Sequence, residues 1–226
     1  MSILRKPFKY SNFRAVYWLI GINVLVFAIM YFLENRYSVR MLFSGRRLYE
    51  IDLITYYFSM NPYFVIENGF VWTFVTYMFV HGGFTHLLFN MFGLFIFGIQ
   101  VERQMGSREF LLFYFVTGIL AGFFSFIFYI VTGQNFVWLV GASGAIYAVM
   151  LAYAVLFPGS VLYIWGILPV RAPIMVLGFT AISLFSMFFS RNSNVAHLTH
   201  LAGFVFAWLY FPVRFGMNPW RRLRMR

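Results

Sequence analysis

Three short segments of the sequence contain side chains that could together perform nucleophilic chemistry. They are HGGFTHLLFN (81–90), GASG (141–144) and HLTHLAG (197–203). Ser143 offers a hydroxyl, and His200 offers an imidazole that could take its proton. His86 and Asn90 offer N–H groups that could stabilise an oxyanion. These residue types are those of a serine hydrolase, although they are far apart in the chain.

The glycines around Ser143 also permit a purely structural interpretation. Gly141 and Gly144 flank the serine in a region without charges, and small residues of this kind let membrane helices pack closely. GASGA also differs from the soluble hydrolase elbow, because Ala145 stands where that motif has glycine. Taken alone, the segment favours packing; together with the two histidine segments, it favours chemistry.

The composition shows which elements must position these residues. Of the 226 residues 62% are apolar and only 10% are charged, which excludes an ordinary soluble domain. A membrane span needs about 20 apolar residues, and Gly and Pro divide the longest uncharged runs. We predict an all-α polytopic bundle of six transmembrane helices. Their expected ranges are 15–33, from Gly82-Gly83 to 101, 110–131, 139–157, 172–190 and 192–213.

The positive charges predict the orientation. Six spans place both termini on one side, and that side carries 12 of the 17 Lys and Arg residues against 5 on the other. We therefore expect a basic cytoplasmic arm (1–14), a six-helix core (15–213) whose first span is retained, and a basic cytoplasmic tail (214–226). The net charge of +11 lies at membrane flanks, so it predicts contact with anionic lipid and not with nucleic acid.

The same topology places the three segments at one depth. Spans two, four and six all begin on the outer side, and each begins with its unusual polar residues. Gly144, Ala148 and Ala152 form a small-residue stripe on span four, and Gly203 and Ala207 continue below His200 on span six. These stripes predict that spans four and six are neighbours, which would bring His200 to Ser143. Tyr147, one turn below Ser143, could then stack on the imidazole.

No acid is placed to complete a triad. All six Asp and Glu residues precede residue 110, so a Ser143–His200 dyad is the more economical arrangement. The N–H groups at the beginning of span four, next to Gly141, could bind an oxyanion together with Asn90 or His86. Without cysteine there is no thiol nucleophile, and we predict neither a cofactor nor a bound metal.

These residues resemble a known family, the rhomboid intramembrane serine proteases. The resemblance rests on H-x4-H-x3-N at 81–90, G-x-S-G at 141–144 and H-L-x-G at 200–203, and it covers the chain from about Trp72 to Ala207. It implies Ser143 as nucleophile, His200 as general base, and His86, Asn90 and the Ser143 N–H as the oxyanion site. It also matches Glu102, Gly106 and Tyr147. Two positions depart from the pattern, since Thr73 follows Trp72 where Arg is common, and Ala207 replaces a glycine.

The resemblance further implies single-span membrane proteins as substrates, cut near the outer end of their helices after a small residue. A bacterial cell membrane is the expected location. Two alternatives remain open: a metal or proton transporter using the four histidines, and an inactive relative that only binds membrane proteins. We expect His81 to be structural, satisfying the 34–67 loop, and His197 to cap or gate the site. We expect the 34–67 loop to lie in the membrane interface.

Overall fold

Six apolar helices form the bundle in the computed structural model of the chain, which describes residues 7–34, 38–43, 47–164, 166–189 and 194–224. The elements are, in chain order, α1 (Ala15–Glu34), β1 (Ser38–Phe43), β2 (Arg47–Asp52), α2 (Leu53–Phe58), α3 (Pro62–Asn68), α4 (Thr73–Thr76), α5 (Phe84–Gly93), α6 (Ile99–Met105), α7 (Ser107–Val131), α8 (Ser143–Leu156), β3 (Val161–Ile164), β4 (Leu168–Arg171), α9 (Ala172–Phe189), α10 (Asn194–Tyr210) and α11 (Pro219–Arg224). A π-helical segment, Leu94–Gly98, joins α5 to α6 as one continuous rod, and another, Phe211–Phe215, extends α10.

The predicted membrane helices are present, with boundaries that differ from the predicted ones by up to four residues. Four of the described helices are long and apolar enough to cross a membrane, while α8 and the described apolar part of α9 are shorter. The fourth helix does not begin at residue 139 as predicted, because Leu139 pairs with Met60 as extended chain and Gly141 has φ +106°. With 14 residues α8 is about 21 Å long, against about 30 Å for the hydrocarbon layer.

The short α8 places Ser143 well inside the bundle. A Cβ atom on Gly144 would lie 3.2 Å from Cβ of Ala121, so the beginning of α8 is level with Ala121 of α7. From there α7 continues to Val131, ten residues further or about 15 Å. We call the end of the bundle where α5, α8 and α10 begin the site end, and the opposite end the terminal end. Ser143 is thus recessed from the site end.

Small residues bring α8 and α10 into direct backbone contact, as the two stripes predict. A Cβ atom on Gly203 would lie only 2.1 Å from the carbonyl oxygen of Gly144, so no larger residue fits there. Ala148, Ala152 and Ala207 are fully buried in the same contact. Ala207, which stands where the family pattern has glycine, is therefore accommodated in the packed interior.

The segment between α1 and α5 folds as a hairpin followed by short helices. Strands β1 and β2 pair antiparallel, with Ser38 opposite Asp52. Asp52 then caps α2 by accepting from the Thr55 N–H at 2.8 Å. Trp72 donates its indole N–H to the Tyr57 carbonyl at 2.7 Å, and Thr73, the second departure from the family pattern, is buried. This hairpin and the β3–β4 hairpin are additions that the sequence did not predict.

Two buried carboxylates hold the terminal end together. Glu102 accepts from the N–H groups of Ala15 and Val16 at 2.6 and 3.0 Å, which caps α1, and also from the Ser107 hydroxyl. Glu109 accepts from Arg214, and also from the Tyr210 hydroxyl at 2.7 Å and the Phe8 N–H at 3.3 Å. The beginning of α1 and the end of α10 therefore meet at one end, as a six-helix count requires.

Candidate active site

The structure brings Ser143 and His200 into hydrogen-bond contact. Oγ of Ser143 lies 2.8 Å from Nε2 of His200, although the residues are 57 positions apart. Ser143 is the first residue of α8, and His200 lies on α10 one turn before Gly203. The contact of Gly203 with Gly144 fixes this distance, because a larger residue there would separate the two helices. The small-residue stripes thus position the polar pair.

Tyr147 holds the plane of the imidazole. Its ring is stacked on the ring of His200, with centroids 4.1 Å apart and an angle of 13° between the planes. Phe204 packs on Tyr147 from the next turn of α10 at 5.0 Å. Stacking restricts the rotation of the histidine side chain and leaves the direction from Nε2 to Ser143 defined. Tyr147 is therefore placed as its spacing from Ser143 predicts.

The histidine has no carboxylate partner in the described part of the chain. Nδ1 of His200 is buried and has no hydrogen-bond partner there. The buried acids Glu102 and Glu109 bind other groups at the terminal end. The geometry is that of a serine–histidine pair without an acid beside it in the described residues, and stacking on Tyr147 is the contact that restricts the imidazole plane.

His86, Asn90 and Gly141 lie together beside the beginning of α8. A Cβ atom on Gly141 would lie 2.7 Å from the imidazole of His86 and 3.8 Å from Nδ2 of Asn90. Only glycine at position 141 therefore allows the His86 ring to lie this close to the backbone before α8. The N–H of Gly141 donates to the Tyr77 carbonyl at 2.9 Å and is not available as an oxyanion donor. Asn90 donates one N–H to the His86 carbonyl at 2.9 Å, which leaves its second N–H for another acceptor.

The other two histidines each lie beside a histidine of the site, His81 beside His86 and His197 beside His200. His81 lies in the loop before α5, with Nδ1 3.3 Å from the Phe79 carbonyl and its ring 5.1 Å from that of His86; these contacts replace the expected ones with the 34–67 loop. The pKa of His81 is lowered to about 4, mainly because the ring is buried and to a smaller extent because His86 is near. The ring of His197 lies 5.9 Å from that of His200. In the described ranges no three His, Asp or Glu side chains are grouped closely enough to hold a metal ion.

A buried hydroxyl cluster beside His200 was missed by the sequence analysis. Oγ1 of Thr199 lies 2.7 Å from Oγ of Ser125 on α7, and the Tyr129 hydroxyl bonds to both. Cγ2 of Thr199 also touches the position that a Gly144 side chain would occupy, at 3.0 Å. The signal in the sequence was the pair of polar residues spaced four apart, Ser125 and Tyr129, on one face of an otherwise apolar helix.

Fold and site together define a helical membrane protein with a serine–histidine pair recessed at one end of its bundle. The family model of the Rhomboid domain matches residues 68–216, so the chain belongs to the rhomboid family. This range contains all the residues of the site described above. The sequence resemblance to this family is thereby confirmed.

Curated relatives support the same membership. The chain is 33% identical over 139 residues to the rhomboid-family protein YdcA of Bacillus subtilis (strain 168), which covers 61% of the chain and 66% of the relative. It is 32% identical over 168 residues to the mitochondrial RHOMBOID-like protein 12 of Arabidopsis thaliana, covering 65% and 48%. It is 32% identical over 102 residues to the rhomboid protease GlpG of Haemophilus influenzae, covering 45% and 49%. The chain thus spans about half to two thirds of the length of these relatives.

Proposed function

We propose that the protein is an intramembrane serine endopeptidase that cleaves transmembrane helices of other membrane proteins. The observation that carries the proposal is the 2.8 Å contact between Oγ of Ser143 and Nε2 of His200 within a membrane bundle. The pair is recessed, so a reaction there takes place below the end of the surrounding helices. Membership of a family with relatives named as rhomboid proteases supports the same activity.

In this mechanism His200 is the general base and Ser143 the nucleophile. Nε2 takes the hydroxyl proton while Oγ forms a bond to the carbonyl carbon of the scissile peptide. The tetrahedral intermediate collapses when the protonated imidazole gives its proton to the leaving nitrogen, which releases one product as an amine. A water molecule then attacks the acyl carbon while the same imidazole takes its proton. The protonated imidazole returns this proton to Oγ as the acyl–Oγ bond breaks, which releases the second product as a carboxylic acid and restores Ser143.

The oxyanion of each tetrahedral intermediate is stabilised at the beginning of α8. The first N–H groups of a helix have no partner within the helix, so they can bind an anion. In this mechanism the N–H of Ser143 donates to the developing oxyanion. His86 and the second N–H of Asn90 lie beside this helix end and supply further donors. Gly141 contributes by allowing the approach of His86, because its own N–H is already bound to Tyr77.

The substrate must unwind before Ser143 can reach it. A transmembrane helix satisfies its own backbone hydrogen bonds, so its carbonyl groups are hidden until Gly or Pro weakens the helix. The close contacts around Gly144 and Gly203 leave little room beside the serine. We therefore expect cleavage after a small residue near the outer end of a single-span substrate.

We place the protein in a bacterial cell membrane with both termini in the cytoplasm and the site end facing outwards. The excess of Lys and Arg in the arm, the tail and the loops between them supports this orientation. It also lets water and the substrate's outer helix end reach the recessed Ser143 from the same side. Protease protection of tags on either terminus in intact cells tests the orientation.

Mutation of the pair tests the function. Purified protein reconstituted with a single-span substrate should cleave it, and Ser143→Ala and His200→Ala should each abolish detectable cleavage while keeping the melting temperature. Ser160→Ala is the matched control, since this serine lies at the terminal end, where its hydroxyl donates to the Phe157 carbonyl at 2.7 Å. Cleavage that persists in Ser143→Ala but stops with a chelator would contradict the serine mechanism and favour metal-dependent chemistry at the histidines.

A further inference from the structure

An apolar groove lies at the terminal half of the bundle, away from the serine–histidine pair. It has a volume of about 460 Å³ and runs between α9 and α10, with Leu151 of α8 at its base. Leu177 of α9 and Val205 of α10 line its sides, and Trp220 and Leu223 of α11 line it near the terminal end. Because Pro173 at the beginning of α9 also lines it, the groove opens at the level where the helices leave the membrane.

The chemistry of the walls fits a hydrocarbon chain. The only hydroxyl among the described lining side chains belongs to Thr180, and it already donates to the Val176 carbonyl at 2.8 Å. Apart from the indole N–H groups of Trp208 and Trp220, the remaining lining side chains are hydrocarbon, so a polar occupant would lose hydrogen bonds to water. Leu177 is 68% exposed and Val205 54% exposed, so the groove is open towards the surrounding lipid.

Positive charge is concentrated where the groove ends. Helix α11 places Trp220 and Leu223 on the groove, and Arg221 and Arg222 between them are exposed. Arg171, also exposed, lies two residues before Pro173, which lines the groove. Trp220 packs near Trp208 of α10, with ring centroids 6.3 Å apart, which anchors α11 across the groove. Basic residues at a membrane interface attract anionic lipid head groups.

We propose that this groove is a binding site for an anionic phospholipid of the leaflet at the terminal end. One acyl chain lies between α9 and α10, and the phosphate lies at the opening near Arg221, Arg222 and Arg171. The apolar walls select the chain, and the arginines select the negative head group. Apart from Phe204, which also packs on Tyr147, its lining residues are not those of the proposed protease site, and the proposal does not depend on the proposed function.

Native mass spectrometry of the purified protein tests the proposal. After delipidation and titration with phosphatidylglycerol or phosphatidylcholine, the protein should bind one phosphatidylglycerol at least about tenfold more tightly than phosphatidylcholine. Leu177→Trp fills the groove and should remove this binding; Leu88→Trp, on an exposed face of α5, is the matched control and should keep it. Thermal unfolding of each variant without lipid shows that it is folded.

A second pair of variants tests the charge. Arg221→Gln with Arg222→Gln should abolish the preference for phosphatidylglycerol, whereas Arg103→Gln with Arg108→Gln, two exposed arginines at the same end of the bundle, should retain it. An equal loss in both double variants would show only general attraction to anionic lipid and would overturn the site. Unchanged binding in Leu177→Trp, or a dimer that this substitution dissociates, would overturn it as well.

Discussion

The buried glutamates at one end of the bundle and the buried histidines at the other differ in how fully they are hydrogen-bonded. At the terminal end, Glu102 and Glu109 together accept hydrogen bonds from six groups, among them Arg214 and the first N–H groups of α1. At the site end, Nδ1 of His200, Nε2 of His81 and Nδ1 of His197 are buried without a partner in the described parts of the chain. Native structures rarely leave buried polar atoms unpaired, so these ring nitrogens are groups that water or a substrate could bind.

The hydrogen bonds that a buried side chain makes separate structural residues from candidate catalytic residues more clearly than its residue type does. A buried glutamate in a membrane helix is a functional candidate by default, yet both glutamates here are saturated by neighbouring groups. The histidines at the site end are less polar than a carboxylate, but each of the three has a ring nitrogen available for a further hydrogen bond. Among these buried glutamates and histidines, hydrogen-bond saturation, and not charge, distinguishes the end that holds the fold from the end that we propose performs catalysis.

The largest expected effect of a substitution at the terminal end comes from Glu109→Ala. It removes the carboxylate that binds Arg214, whose side chain is 11% exposed, and breaking such a largely buried pair costs up to about 3–5 kcal/mol of folding free energy. The free energy of unfolding in mixed micelles should fall by that amount, while the cleavage rate per folded molecule stays unchanged. Glu67→Ala, at an exposed carboxylate, should change neither quantity. A loss of kcat in folded Glu109→Ala would remove the distinction between the ends.

At the site end, Asn90→Ala should show the reverse behaviour. Losing one oxyanion donor lowers kcat by up to about 10²–10³-fold, with smaller losses if His86 and backbone N–H groups compensate. The folding free energy should change by about 1 kcal/mol. Asn23→Ala is the matched control, because Asn23 is also buried and donates to the carbonyl four residues before it, at 2.8 Å, but lies on α1. Equal kcat values in the two variants would show that Asn90 only packs.

A substitution in the hydroxyl cluster of Thr199, Ser125 and Tyr129 should lower both the free energy of unfolding and kcat. Thr199→Val leaves the buried Ser125 and Tyr129 hydroxyls with one partner fewer, which costs about 1–3 kcal/mol. Because Thr199 precedes His200, we also expect a reduced kcat that Thr199→Ser restores. Thr117→Val, whose buried hydroxyl bonds only to its own helix, should cost less and leave kcat unchanged. The variants are compared by unfolding and by cleavage kinetics.

The smallest effect is a pH dependence at His81. Since burial lowers its pKa to about 4 from an ordinary value near 6.5, the unfolded chain binds a proton between these values that the folded protein does not. Stability should therefore fall as the pH drops from about 6.5 towards 4. Melting curves at pH 7 and pH 5 should show a smaller decrease for His81→Gln than for the unchanged protein. An identical decrease in both would assign the effect to other groups.

The sequence predicted the bundle, the chain-distant clusters and the small-residue stripes, because hydropathy and helical spacing are local properties. It could not predict where α8 begins. That boundary depends on Leu139 pairing with Met60, a contact between segments almost 80 residues apart. For the same reason it missed the Thr199 cluster and misjudged the partner of His81, since side-chain contacts between helices depend on their rotation and depth.

Labelling with a fluorophosphonate tests the proposed nucleophile most directly. The reagent reacts with a serine whose hydroxyl is activated by a base, and peptide mass spectrometry locates the modified residue. We predict stoichiometric labelling of Ser143 alone, slowed by about 10²–10⁴-fold in His200→Ala but unchanged in Glu109→Ala that is kept folded. Labelling of another serine, or an unchanged rate in His200→Ala, would contradict the assignment of Ser143 and His200 as nucleophile and base.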